Sequence, residues 1–187
     1  MTVYAFLADG VEEVEALAVV DLLRRAEIDT VIVSVQNNDM IEGSHKIGIR
    51  ADAKLSDIFV DAEDVVFLPG GGLGTKNLKA SEELAGLLQS HAAENGRFAA
   101  ICAAPSVLGK LGLLEGKKAT CYPGFEEELT GAEFAAVPVV TDGLYTTSRG
   151  MGTSTLLGLE LIRILKSEEE AKAMAERIML PASNEME

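Results

Sequence analysis

A chain of 187 residues, 48% hydrophobic and 25% charged, is long enough for one substantial core and reads as a single globular domain over 1–187. A net charge of −14 offers nothing to neutralise phosphates and argues against nucleic acid or an anionic membrane as partner. No apolar run is long enough to span a bilayer, no signal peptide precedes the first strand, and the two cysteines show neither CxxC nor metal-type spacing; a reducing, cytoplasmic setting is expected, with no metal.

Val3 to Ala8 is an apolar run expected as a strand and ended by Asp9-Gly10. A helix follows from about Val11 to Ala26, with an apolar stripe of Val11, Val14, Leu17, Ala18 and Leu22. Glu12 and Glu13 are expected to point outward, where their charge suits a helix N-terminus. Glu15 falls on the apolar side instead. It either reaches water at the rim of the stripe or is buried with a partner, which raises its pKa.

Thr30 to Val35 reads as the second strand, and Ile41 to Arg50, which carries His45, as a hairpin-like extension. Ala51 to Val60 reads as a loop with one helical turn. Asp64 to Leu68 is another buried strand, ended by Pro69-Gly70-Gly71-Gly72. Such a glycine run lets backbone N–H groups approach a ligand closely. Neither GxxxxGK[ST] nor GxGxxG is present, so no phosphate-bearing cofactor is expected. Ser81 to Asn95 reads as a helix with Ser81 as N-cap and Gly96 just past its end; His91, among polar residues, is placed toward solvent.

Phe98 to Ile101 is a short apolar run, and Ala103 to Leu111 suits a helix with Pro105 in its first turn. Cys102 therefore stands where a buried strand turns sharply into a helix, the layout of a nucleophile elbow with Cys in place of Ser. It is either a packed core cysteine or a reactive one. In the second case the helix N-terminus lowers the thiol pKa, and the Ala103 N–H faces the position of an oxyanion. Lys118 to Cys121 is a short strand leading to Tyr122-Pro123-Gly124, and a short helix is expected over Phe125 to Leu129. Val137–Val140 and Leu144–Thr147 form a hairpin about Asp142-Gly143. Helices follow over Thr153–Leu165 and Glu168–Met179, then a loose tail over 181–187.

Strands alternating with helices predict a mainly parallel sheet covered on both faces, with ligands bound at the strand C-terminal ends. Glu15, the Pro69–Gly72 turn, Cys102 and Tyr122 all fall at such ends.

The segments ADGVEEVE (8–15), VVFLPGGGLGTKNL (65–78), AAICAAP (99–105) and TSRGMGTS (147–154) together resemble the ThiJ/PfpI superfamily, on the branch of the Parkinson-disease protein deglycase and its bacterial relatives. The resemblance implies a flavodoxin-like three-layer α/β sandwich and a homodimer. It marks Cys102 as the reactive thiol, Glu15 as the protonated acid bonded to it, and the N–H groups of Gly71 and Ala103 as an oxyanion pocket. It also implies that Gly70, Arg149 and His45 serve the substrate side, His45 from the partner subunit; an exposed hairpin histidine is the alternative. Protease-like members carry His directly after the Cys, where Ala103 stands here, and glutaminase relatives need a downstream His-x-Glu that this chain lacks. Tyr122 stands where the human-type pattern has His. Cys121 is either packed or able to resolve an oxidised Cys102. The function implied is a cofactor-independent, cysteine-dependent glyoxalase or deglycase acting on a small 2-oxoaldehyde or its glycated adduct; the alternative is a redox-responsive, chaperone-like stress protein.

Overall fold

The computed structural model describes residues 1–181, so the tail expected over 181–187 lies, from 182 onward, outside the described residues. Seventeen elements follow in order: β1 (Val3–Leu7), α1 (Glu13–Arg25), β2 (Thr30–Ser34), β3 (Met40–Glu42), β4 (Gly48–Arg50), β5 (Ala53–Lys54), β6 (Val65–Leu68), α2 (Gly72–Ala80), α3 (Glu82–Ala93), β7 (Arg97–Ile101), α4 (Pro105–Lys110), β8 (Lys118–Ala119), β9 (Glu133–Phe134), β10 (Val139–Asp142), β11 (Tyr145–Ser148), α5 (Ser154–Leu165) and α6 (Glu168–Arg177).

Seven strands form the central sheet in the order β10-β11-β7-β6-β1-β2-β5. All neighbours are parallel except the edge strand β10, which pairs antiparallel with β11 through the predicted hairpin. The inner order β2-β1-β6-β7-β11 is the flavodoxin-like winding, whose direction reverses between β1 and β6. Alternation along each strand divides the core. Val3, Ala5, Leu7, Phe67, Ala99 and Ile101 pack with α1, α5 and α6 on one face. Phe6, Val66, Leu68, Phe98 and Ala100 pack with α2, α3 and α4 on the other. Burial on both faces is why these strands read as unbroken apolar runs. The result is the expected flavodoxin-like three-layer α/β sandwich. No helix among the described residues is long and apolar enough to cross a membrane.

Four expectations need correction. First, α1 does not bury Val14 and Leu17, which are exposed; its inward face is Ala16, Val19, Val20 and Leu23, with Glu15 and Leu22. Second, Glu13 is buried at 3% exposure, because Ser44 and His45 of the β3–β4 hairpin fold over it and supply hydrogen bonds. Third, the glycine run at 70–72 opens the helix α2, with Gly71 at its cap. Fourth, His91 is buried. Its ring packs edge-on against Phe98 with centroids 5.1 Å apart, and Nε2–H donates to the Arg97 carbonyl at 3.2 Å. Gly96 leaves room for that ring, since a Cβ there would stand 2.2 Å from it. The left-handed residue after α3 is therefore Asn95, at φ 61°.

Candidate active site

Three chain segments meet at the reversal of the sheet winding. After β1 the chain passes Gly10 and enters α1, and Glu12 caps the helix by accepting the Glu15 N–H at 2.7 Å. This turn aims the Glu15 side chain back over the sheet ends. After β6, Gly70 donates its N–H to Glu15 Oε2 at 3.0 Å. No side chain fits at Gly70: a Cβ would lie 2.5 Å from Glu15 Oε2 and 2.6 Å from Cys102 Cβ. After β7 the chain turns at Cys102, whose φ of 65° is in the left-handed region that a side chain disfavours. The Cys102 N–H is tied to Ser148 O at 3.0 Å and its carbonyl to the Tyr122 N–H at 2.8 Å. The elbow is thus held from both sides in a strained conformation.

The half-buried Cys102 thiol faces Glu15, and the N–H groups of Gly71 and Ala103 both point at its sulfur. Glu15 is 1% exposed. Burial pushes its carboxyl up to about 7, and the nearby Glu12 charge adds to this; bonds from Cys102 and from the Gly70 and Met151 N–H groups pull the other way. The thiol moves opposite to the sequence expectation. Burial, and then the facing Glu15 charge, push Cys102 up to about 12 against the lowering by the Gly71 and Ala103 N–H groups. The helix that was expected to ionise it, α4, begins only at Pro105 and is six residues long.

Glu15, Gly70, Gly71, Cys102 and Ala103 are therefore brought together. Tyr122 borders the group: its backbone bonds Cys102, and its ring, 51% exposed, rests over Gly150. Arg149 and His45 have other partners within the chain. Arg149 is half-buried, with its N–H on Pro138 O and its charge acting on Cys121. His45 bonds Glu13 of its own chain through Nδ1 at 2.8 Å. Cys121 packs in the opposite half of the core from Cys102, and both cysteines are free.

Sequence reasoning missed Met151, whose backbone N–H lowers the Glu15 pKa, and Gly150, where a Cβ would stand 3.2 Å from the Tyr122 ring and 3.9 Å from Glu15 Oε1. The signal was the Gly150-Met151-Gly152 turn after β11. The Thr153 hydroxyl fixes that turn by accepting the Gly150 N–H at 3.1 Å.

A sequence model of the DJ-1/PfpI family matches residues 1–164. The chain is 40% identical over 167 residues to Protein DJ-1 homolog B of Arabidopsis thaliana, covering 88% of this chain and 38% of that protein. It thus spans less than half the length of that relative. It is 27% identical over 185 residues to a protein of Schizosaccharomyces pombe named Glutathione-independent glyoxalase DJ-1, covering 94% of this chain and 97% of the relative. The structure of oxidised DJ-1 from Toxoplasma gondii superposes with a TM-score of 0.91 at 30% identity, covering 97% of this chain and 99% of the other. With a family match running from β1 nearly to the end of α5, the chain belongs to the DJ-1/PfpI family.

Proposed function

We propose that the chain is a cysteine-dependent glyoxalase that converts a small 2-oxoaldehyde to the 2-hydroxy acid without a dissociable cofactor; deglycation is the same chemistry on a preformed adduct. The observation that carries this is the buried Glu15 carboxyl set beside Cys102 over Gly70, whose N–H it accepts at 3.0 Å, with its pKa raised by that burial. A thiol held near 12 does not ionise unaided, and Glu15 is the group placed to take its proton. As sulfur bonds the aldehyde carbon, the Gly71 and Ala103 N–H groups face the developing oxyanion, which receives the proton from Glu15. Glu15 then removes the hydrogen from that carbon as a proton and returns it to the neighbouring carbonyl carbon, while the hydroxyl proton passes to that carbonyl's oxygen, so the hemithioacetal isomerises to a thioester. Water hydrolyses the thioester and restores the thiol. The name of the Schizosaccharomyces pombe relative supports the reaction class.

Lactate formation from methylglyoxal in metal-free buffer tests this. Turnover should be present in the wild type without glutathione and absent in Cys102→Ser. Equal rates in the two proteins would sink the reading.

A redox-sensing role is the second reading, favoured by the half-exposed sulfur and by the oxidised state in which the Toxoplasma gondii relative was solved. Peroxide adding two oxygens to Cys102 in a protein with no turnover would select it.

The proposal includes a homodimer. Val14 and Leu17 of α1 are 47% and 37% exposed, and Met151 and Leu156 are apolar and exposed as well. Pairing of two copies would remove such surface from water. Light scattering that reports a monomer would refute this part.

A further inference from the structure

We propose that Glu12, Glu13 and His45 form a binding site for a divalent transition metal ion of the zinc type, beside the cysteine site and independent of its thiol. One oxygen of each glutamate and Nδ1 of His45 all lie within 4.8 Å of one another. His45 Nδ1 is 2.8 Å from Glu13 Oε2 and 3.9 Å from Glu12 Oε1. Donors at about 2.0–2.2 Å from a zinc ion stand about 3–3.5 Å apart, so the ion requires Glu13 and His45 to open by a few tenths of an ångström and Glu12 to close on His45 by about 0.4–0.9 Å.

Both carboxylates are already held by other hydrogen bonds. Glu12 Oε2 accepts the Glu15 N–H at 2.7 Å, and Glu13 Oε1 accepts the His45 N–H at 2.6 Å. Ser44 Oγ donates to Glu13 Oε2 at 3.1 Å. These bonds orient the donor atoms as outer-shell partners orient metal ligands.

Charge gives an independent argument. Glu13 is 3% exposed and Glu12 adjoins it, yet among the described residues no lysine or arginine makes an ion pair with either. The next basic residue in sequence, Lys46, is engaged with Glu42. Two carboxylates, one of them buried, are answered by a single imidazole. The Ser44 and His45 bonds already compensate Glu13, so a dication would take the place of the imidazole proton between the two carboxylates. The imidazole donor selects zinc, cobalt or nickel over calcium and magnesium, which take oxygen ligands. The His45 side chain is 71% exposed, so the coordination positions left over are open to water. Linear spacing could not reveal this site, because two ligands are adjacent in sequence and the third arrives from the β3–β4 hairpin 32 residues later.

The test is calorimetric titration of Zn2+ into the Cys102→Ser protein, which removes the competing thiol. It is paired with the visible spectrum of the Co2+ form. One ion per chain is expected, with His45→Ala in the same background weakening it at least about 10-fold and abolishing the Co2+ bands. His45→Ala also removes a bond to buried Glu13 and should lower the melting temperature, so Glu12→Gln serves as a second ligand deletion that keeps that bond. Absence of saturable binding in Cys102→Ser, or equal affinity in Cys102→Ser and its His45→Ala derivative, would overturn the proposal.

Discussion

At the amino end of β7 the His91 ring is packed edge-on against Phe98 and donates to the Arg97 carbonyl; past the carboxyl end of the strand, Glu15 is packed beside Cys102. Both side chains are almost fully buried, and burial is the leading cause of both pKa changes. It lowers His91, which stays neutral with Nδ1 unpartnered, and raises Glu15 to about 7. The difference lies in what the strand end presents. The carboxyl ends of parallel strands lead toward helix starts, and their backbone N–H groups face a charge; the amino ends meet helix C-termini and carbonyls. His91 sits in the last turn of α3, where a neutral donor satisfies a carbonyl. Glu15 sits one turn into α1, among N–H groups and a second ionisable side chain. One end packs a neutral ring, the other brings two ionisable side chains together.

Replacing the acid at the carboxyl end should have the largest effect. Glu15→Gln should cut turnover on methylglyoxal by about 10²–10⁴-fold, the usual span for a positioned acid–base group, while the fold melts normally. Turnover within a few-fold of wild type would remove Glu15 as the proton carrier. At the amino end the effect should be reversed in kind. Gly96→Ala drives a methyl into the His91 ring and should cost about 1–3 kcal/mol of stability, read from denaturant unfolding, with turnover per folded molecule unchanged.

The smallest effect is a pair of opposite pH slopes. The folded-state pKa of Glu15 lies above its unfolded value, so its stability contribution is fully present below about 4.5 and is lost as pH rises through about 7. His91 is depressed, so its contribution is present above 6.5 and is lost as pH falls toward its folded-state value. Glu15→Gln should therefore gain stability relative to wild type on going from pH 5 to pH 8, and His91→Gln on going from pH 7 to pH 5. Parallel thermal-melt profiles across these ranges would show that the two ends do not differ in this way.

These two ends also differ in how well the sequence describes them. The elbow was legible because Phe98 to Ile101 is apolar without interruption and Pro105 follows at helix-start spacing; both are local signals. β1, β2, β6 and the β10–β11 hairpin were readable for the same reason. The burial of His91 was not, since its pocket comes from Gly96 and Phe98 and its own helix neighbours are polar. Glu13 shows the same failure: its partners Ser44 and His45 are 31 and 32 residues away. The helix α2 was hidden because Gly72 and Gly74 lower local helix propensity, and packing overrides that deficit. On α1, apolar residues lie nearly all round, so periodicity alone could not choose the face with Ala16, Val19 and Leu23 over the one with Val14 and Leu17. The rise in the thiol pKa escaped because it depends first on burial by the surrounding segments and then on a charge supplied from one of them, Glu15.

The left-handed backbone at Cys102 has an evolutionary consequence. For any residue with a Cβ that conformation costs on the order of 1 kcal/mol, which glycine would not incur. The proposed nucleophile thus occupies a position where losing the side chain altogether would relieve the backbone. Mutational drift under selection for folding alone should favour Cys102→Gly, and only selection for the thiol's chemistry opposes it. Directed-evolution libraries screened for thermal tolerance without an activity screen should therefore discard the reactive residue early.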